Sequence, residues 1–281
     1  MVKIILFSAY LALSTSYRQL AADPLSDGQI NTLREIGKGF TDIQSAVLDD
    51  FLKSKRLIYV PEVVPKNVLN KQVKNNYKSF HDKYSTYLAR KFKKRWRTRL
   101  AKAEKKYGVS KEAIVAIILV ETGLGRIKGR YNVPSVFTTI ILSSESQIND
   151  LATEDQKRLN KDVNYKKKLA RKKEWAKNEW HTLLKISQKK MLDVLSVFGS
   201  SSGAFGVCQF LPSSYLKYAV DGDGDKKIRL DRFADAIPSV GHYLQKHGWG
   251  VSEKAKRKAV FAYNHSEIYV DTILKVAKTI R

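Results

Sequence analysis

Apolar residues along this chain recur mainly at helical spacing. Ile43, Val47, Leu48, Phe51 and Leu52 mark one face of a helix, within a mostly helical stretch from about Gln29 to Tyr87. Tyr59 to Val64, with Pro61 and Pro65, interrupts that stretch as an extended connector. The basic, aromatic-interleaved run Arg90 to Arg97 continues into Leu100, Ala103 and Tyr107, which predicts an amphipathic helix ending at Gly108. Ser110 then caps a new helix, with Glu112 in its first turn. This helix is almost wholly apolar from Ala113 to Val120 and closes on Glu121-Thr122-Gly123, with Gly123 and Gly125 as its stop. No Pro or Gly falls between Pro134 and Gly199, so long helices meet no breaker there. Within that span Asn149 to Lys190 is dense in charge, with Leu159, Leu169, Trp175, Trp180, Leu183 and Leu184 spaced through it. It reads as a helical insertion, basic on its outer face. Gly199 to Pro212 is a small-residue turn region. Further helices are expected from Pro212 through Val220, Ala234 to His247, and about Ser266 to Ile280. The fold class is mainly α.

Glu121 is the residue this pattern singles out. A carboxylate at the end of an apolar helix faces low dielectric and the negative end of the helix dipole, and both favour its neutral form. A carboxylic acid held partly neutral near pH 7 is what general acid catalysis needs. A solvated residue at a helix end would give the same local sequence.

Charge narrows the partners. The chain carries a formal net charge of +25, and 43% of its residues are hydrophobic, enough for a substantial core. Such a charge calls for an anionic partner: nucleic acid, an anionic membrane, or an acidic polymer such as cell wall. The single cysteine, Cys208, excludes an intramolecular disulfide. The first residues bear on the compartment. A basic start, the apolar stretch Ile4 to Leu13 and the small residues Ser14-Thr15-Ser16 read as an export signal over residues 1–16, too short to span a membrane. No cysteine near it supplies a lipid anchor. Export to the periplasm tilts the charge argument toward the envelope.

Three further constellations could carry chemistry. Asp221-Gly222-Asp223-Gly224-Asp225 resembles the opening of an EF-hand loop, although Lys226 and Arg232 replace the expected glycine and glutamate. Asp235 could close such a site; a solvated acidic turn is the plain alternative. In Ser200 to Pro212, glycines allow close backbone approach to a ligand, and Ser200 and Gln209 could bond a polar substrate. Tyr263-Asn264-His265-Ser266, followed by Tyr269, suits sugar recognition or a helix cap equally. Nucleophilic and zinc chemistry find little support. There is no Gly-x-Ser-x-Gly elbow, no paired histidine spacing and no phosphate-binding Gly-Lys loop, and Cys208 lies among apolar residues.

Taken in order, these segments resemble the lytic murein transglycosylase B family. The resemblance rests on Val120-Glu121-Thr122 with Gly125-Arg126, on Gly203-Ala204-x-Gly206 with Gln209-Phe210-x-Pro212-Ser213-Ser214-Tyr215, on Asp221-x-Asp223-x-Asp225 leading to Asp235-Ala236-Ile237, and on Tyr263-Asn264-His265-Ser266. It implies a lysozyme-like catalytic core over residues 89–281 with an inserted helical subdomain at about 144–198. A helical region at 17–88 gives no clear match. It also implies cleavage of peptidoglycan between N-acetylmuramic acid and N-acetylglucosamine, without water, to a 1,6-anhydro product. The family's acid/base falls on Glu121, and its substrate contacts on Ser200, Gln209, Phe210, Tyr243, Asn264 and Tyr269. A structural Ca²⁺ is implied on Asp221, Asp223, Asp225, the Lys227 carbonyl and Asp235, with no catalytic cofactor. The family's arginine pair and following tyrosine find their nearest counterpart in Arg171-Lys172 and Trp175, a departure. The expected partner is the glycan strand, met by a monomer with peripheral envelope association and no nucleic acid.

Two rival readings fit the same sequence. A lysozyme-type hydrolase would act on the same substrate with water as nucleophile, but ordinary glycosidases need two carboxylates, and no second acid near Glu121 has a comparable apolar setting. A non-catalytic basic binder of nucleic acid or cell wall would use Arg90 to Arg97, with Phe92 or Trp96 stacking. Phe92 and Trp96 lie four apart, as anchors into a core would.

Overall fold

A computed structural model describes residues 23–69, 77–159 and 164–281. The expected export segment at residues 1–16 lies outside the described residues. Among those described, no helix is long and apolar enough to cross a membrane.

The helix Lys111–Thr122 forms the centre of the molecule. Every residue from Glu112 to Thr122 is buried, as expected of a helix that is apolar all round. Ser110 caps its start, its Oγ accepting from the Ala113 N–H at 3.4 Å. At the other end Gly123 takes the left-handed conformation, φ 58°. Its N–H donates to Leu119 O at 2.8 Å and the Leu124 N–H to Ile118 O at 3.2 Å, a glycine stop that satisfies the last carbonyls. The helices Lys83–Arg95, Arg97–Tyr107, Phe233–Lys246 and Glu267–Thr279 pack around it.

The amphipathic helix expected to end at Gly108 is two helices, broken at Trp96 (φ −101°, ψ 18°). Phe92 and Trp96 both grip Phe233, with ring centroids 4.9 and 5.2 Å away. They anchor the core, while Arg90, Lys91, Lys94, Arg95 and Arg97 are exposed. With Phe92 buried, a stacking surface for bases is lost there.

The insertion is not one long helix. Glu145–Leu151, Glu154–Leu159 and the 24-residue Tyr165–Gln188 follow one another. The breaks come from caps rather than from Pro or Gly. Ser144 Oγ accepts from the Gln147 N–H at 3.4 Å, and Thr153 Oγ1 from the Gln156 N–H at 3.2 Å; such side chains offer the backbone an alternative to continuing a helix. Tyr165–Gln188 lies along Val133–Leu142 and Pro212–Tyr218. Its Trp180 is fully buried, with Phe40 and Phe51 of the N-terminal region 5.4 and 6.2 Å away. One continuous apolar cluster therefore includes residues of the N-terminal region, the insertion and the central helix. An exposed tie reinforces the join: Asp42 accepts from Lys185 and contacts His181, at 2.8 and 2.5 Å. The Lys185 hydrogen bond, then that of His181, holds the Asp42 carboxyl down at about 2.

Of the later helices, Pro212–Tyr218, Phe233–Lys246 and Glu267–Thr279 lie where their patterns predict. Glu253–Tyr263 does not announce itself in sequence, because its first two turns are nearly all charged and only Ala259, Val260 and Tyr263 are buried. Among the described residues, strands form two short antiparallel pairs. One of these, Tyr131–Asn132 with Phe198–Gly199, flanks the loop that begins at Ser200.

Trp180→Ala should cost roughly 3–5 kcal/mol, the usual range for emptying a buried aromatic site. A denaturant melt checks this, and the N-terminal region should unfold in the same transition as the central helix.

Candidate active site

Glu121 lies in the last turn of the central helix and is 1% exposed. Tyr269, on the last helix, donates its hydroxyl hydrogen to Glu121 Oε1 at 2.7 Å. Ser266 starts that helix, accepting from the Tyr269 N–H at 3.4 Å, which sets the tyrosine's register. Tyr243 and Tyr263 stand close by, their rings 4.7 Å apart. Tyr243 donates to Ala262 O at 2.7 Å and Tyr263 to Cys208 O at 2.5 Å. Burial is the leading influence that pushes all three phenols upward, and the Glu121 charge adds to it. These hydroxyls therefore remain protonated donors around the acid at neutral pH.

The adjoining residue anchors the neighbouring loop. Thr122 Oγ1 donates to Val207 O at 2.8 Å and accepts from the Gly125 N–H at 3.0 Å. The loop is a tight double turn in which Phe205 bridges to both Gly199 and Phe210. Gly206 has φ 73°, and a Cβ there would come within 2.5 Å of the Leu230 Cβ, so no larger residue fits. Gln209 follows with φ 51°, 2% exposed. Its Nε2 donates to Lys128 O at 3.1 Å and to Gly206 O at 2.9 Å. Ser200 is half-buried, its Oγ accepting from the Ala204 N–H at 3.2 Å.

The expected contacts divide on inspection. Tyr269 joins Glu121 directly, and Tyr243 neighbours it. Asn264 is 1% exposed and ends the helix Glu253–Tyr263, its carbonyl accepting from the Ser266 N–H at 2.7 Å. Phe210 is fully buried against Tyr243 and Tyr263, with ring centroids 5.5 and 5.9 Å away, and supports their rings. Lys172 sits 4.4 Å over the Trp175 ring, and burial lowers its pKa to about 8.

Two residues of the site escaped the sequence reading. Tyr77 lies 6.5 Å from Tyr269, edge to face. Asn67 clamps the serine loop, donating to Ser201 O at 2.7 Å and accepting from Ser202 Oγ at 3.0 Å. Both come from the region that matched no motif, and neither carries a local signal. Three hollows in the described surface, of about 970, 730 and 420 Å³, do not include Glu121 in their walls.

In the acidic loop, carboxylate oxygens of Asp221, Asp223 and Asp235 lie within 4.8 Å of one another. Asp221 accepts from the Gly224 N–H at 2.7 Å and the Lys226 N–H at 2.8 Å. Backbone donors, Gly224 first, hold its pKa down. Asp235 is buried and accepts from the Gly222 and Arg229 N–H groups at 2.9 and 2.7 Å. Burial first, then the charges of Asp223 and Asp221, raises its pKa. An all-oxygen set of this kind fits a hard cation. Asp225 departs from the EF-hand expectation, because its carboxylate is turned to Arg229 in an ion pair. Lys227 enters the loop through its N–H, which donates to Asp225 Oδ1 at 2.9 Å.

A lysozyme-like helical core with a buried glutamate set beside a cluster of tyrosines is the class this arrangement defines. The chain matches the family described as Transglycosylase SLT domain over residues 41–262, and it belongs to that family. The match starts well upstream of residue 89, taking in much of the N-terminal helical region. The chain is 36% identical over 150 residues to membrane-bound lytic murein transglycosylase B of Escherichia coli (strain K12), covering 53% of this chain and 35% of the relative. It thus spans about a third of that curated relative's length. Among solved structures, lytic transglycosylase SltB1 from Pseudomonas aeruginosa superposes with a TM-score of 0.70 at 22% identity, covering 92% of this chain and 98% of that one. Slt35 of Escherichia coli, in complex with calcium, gives 0.67 at 22% identity, covering 93% and 95%. SltB3 from Pseudomonas aeruginosa, bound to NAG-anhNAM-pentapeptide, gives 0.70 at 17% identity, covering 89% and 79%.

Thr122→Val should remove the hydroxyl that joins the acid's helix to the Gly206 loop. The expected destabilisation is about 1–3 kcal/mol, from leaving buried polar groups unmet, and a thermal melt with retained helical circular dichroism checks it.

Proposed function

We propose that the chain is a peptidoglycan lytic transglycosylase that cleaves the β-1,4 bond between N-acetylmuramic acid and N-acetylglucosamine, with Glu121 as its single acid/base. The observation that carries this reading is how the buried acids are used. Among the described residues the buried acids are Glu112, Glu121, Glu179 and Asp235. Glu112 pairs with Lys93 at 3.0 Å. Glu179 accepts from the Ser213 N–H and hydroxyl at 2.9 and 2.7 Å, holding the start of Pro212–Tyr218. Asp235 closes the acidic loop. Glu121 differs from these three in its setting: Tyr269 donates to it at 2.7 Å, and the phenols of Tyr243 and Tyr263 stand close by.

A lone carboxyl group is sufficient if it acts twice. Glu121 gives its proton to the glycosidic oxygen as the C1–O bond breaks and the bonding pair leaves with that oxygen. The resulting carboxylate then takes the proton of the muramyl 6-hydroxyl as that oxygen bonds to C1. The ring closes as a 1,6-anhydro sugar and the acid is restored. The substrate's N-acetyl group could stabilise the positive charge between these steps. Tyr269 holds the carboxylate in place, and Tyr243 and Tyr263 supply neutral, fixed dipoles around it. Ser200, Gln209 and Asn264 shape the adjoining loops in which the sugar would lie. The substrate dictates an envelope location, and a net charge of +25 steers the protein toward an anionic wall.

The acidic loop is read as a structural Ca²⁺ site held by Asp221, Asp223 and Asp235. The all-oxygen donors and their proximity support this. A bound cation would stitch the start of Phe233–Lys246 to the preceding loop and take no part in the chemistry.

Glu121→Gln should abolish turnover while leaving the melt and glycan binding intact. Mass spectrometry of products from purified peptidoglycan decides the reaction. Products lighter by one water support the transglycosylase, and reducing ends would assign a hydrolase on the same scaffold. Calcium should raise the melting temperature and a chelator lower it. Saturation at a hundredfold over Kd corresponds to about 2.7 kcal/mol, and a melt unmoved by either addition removes the metal from the loop.

A further inference from the structure

The helix Lys83–Arg95 buries Ala89 and Phe92 on its inner side and leaves the opposite side to solvent. Tyr84, Tyr87, Lys91 and Lys94 recur on that outer side at spacings of three and four, flanked by the exposed Arg90 and Arg95. The two phenols are 61% and 58% exposed. The helix contains no acid, and Lys93 at its inner edge is taken up by Glu112 at 3.0 Å. Among the described residues no carboxylate pairs with Arg90, Lys91, Lys94 or Arg95. Arg90 donates to the Thr279 carbonyl at 2.9 Å, and Arg95 lies 5.8 Å from the centre of the Trp96 ring. Both of these partners are neutral, so the charge stands. The next helix, Arg97–Tyr107, adds exposed Lys102, Lys105 and Lys106, and its acid Glu104 is occupied by Lys111 at 3.0 Å.

This arrangement does not help the helix. Arg90 and Lys94, and Lys91 and Arg95, are like charges four apart, a spacing that destabilises. An anionic partner relieves that repulsion. The strip also has a fixed place on the molecule. Lys93 meets the start of the central helix at Glu112, and Arg126, just past its end, lies 6.0 Å over the Tyr84 ring. The strip therefore runs alongside the central helix, from its capped start to the turn beyond Glu121.

We propose that this face binds the anionic phospholipid headgroups of a membrane surface, so that the protein lies on the bilayer with its central helix along the membrane plane. Three observations favour a lipid surface over an anionic strand. The face is the outer side of a helix, whereas single strands are held in grooves. Its aromatic members are exposed phenols, a residue type that settles at the membrane–water interface, ring inward and hydroxyl in water. Phe92 and Trp96, the other aromatic residues of this basic run, are engaged with Phe233. Because the apolar side of the helix is spent on the core, the helix rests on the headgroups and does not sink into the acyl layer. Each lysine or arginine held near such a surface strengthens binding several-fold, and salt screens the effect.

The test measures co-sedimentation of the full chain with vesicles of phosphatidylglycerol mixed with phosphatidylcholine, and with phosphatidylcholine alone. The apolar stretch Ile4 to Leu13 is common to all variants and carries no charge to tell the two lipids apart, so the readout is the ratio of the two affinities. The triple substitution Lys91→Gln, Lys94→Gln and Arg95→Gln should lower that ratio about a hundred-fold, at several-fold per cation. A second triple, Lys166→Gln, Lys167→Gln and Lys189→Gln, removes the same charge from exposed positions of the insertion and should leave the ratio nearly unchanged. Tyr84→Ser with Tyr87→Ser should weaken binding to the mixed vesicles about ten-fold. All these side chains are on the surface, and each variant should keep the wild-type melt. Equal losses in the two triples would reduce the effect to net charge and overturn the proposal. So would a wild type that binds both vesicles alike, or a strip triple that loses single-stranded DNA or isolated peptidoglycan while its vesicle ratio holds. Vesicle binding is read without turnover, so the result stands apart from the role of Glu121.

Discussion

The hydrogen bond from Tyr269 to Glu121 is the contact around which the molecule is organised. A carboxylate with 1% of its surface exposed is expensive to bury without a donor. Supplying that donor requires the last helix to lie against the central one in a fixed register. Ser266 sets that register by capping the last helix, and Tyr77 meets the Tyr269 ring edge to face. Lys93 ties the far end of the same helix by donating to the carbonyls of Ile280 and Arg281, while pairing with Glu112 at the start of the central helix. Both ends of the helix pair are pinned, so the acid and its tyrosine have little freedom to separate.

From the opposite side, Thr122 couples the acid's helix to the loop that ends in Gln209. The glycines of that loop do steric work rather than supplying flexibility. At Gly206 the Leu230 backbone and Cβ leave no room for a side chain, so the turn can close in only one way. Asn67 extends the same fastening to the N-terminal region through Ser201 and Ser202. The site therefore draws on the N-terminal region as well as the central and last helices, and the main apolar cluster of the described residues runs through all three.

What the sequence revealed of this depended on whether the signal was local. Glu121 stood out because a charge ends an eight-residue apolar run, Ala113 to Val120, and the caps at Ser110 and Gly123 are chemistry of adjacent residues. The anchoring role of Phe92 and Trp96 followed from their spacing. Asn67 and Tyr77 were invisible because their partners are distant in sequence; Asn67 lies 134 residues from Ser201. The burial of Phe210 was hidden for the same reason, because it comes from tertiary packing against Tyr243 and Tyr263. Glu253–Tyr263 was missed because its charged first turns hide a face that only three residues define. Asp225 shared the spacing of its neighbours, but Arg229 competes for it within one turn.

The two members of the central pair are 148 residues apart. A chain growing from its N-terminus, or threading through a membrane in that direction, presents Glu121 long before Tyr269. Until the last helix arrives, the acid has no partner from that helix and the central helix lacks one of its walls. If Glu121 is the acid/base proposed above, its activity would thus wait on the synthesis of the helix that carries Tyr269.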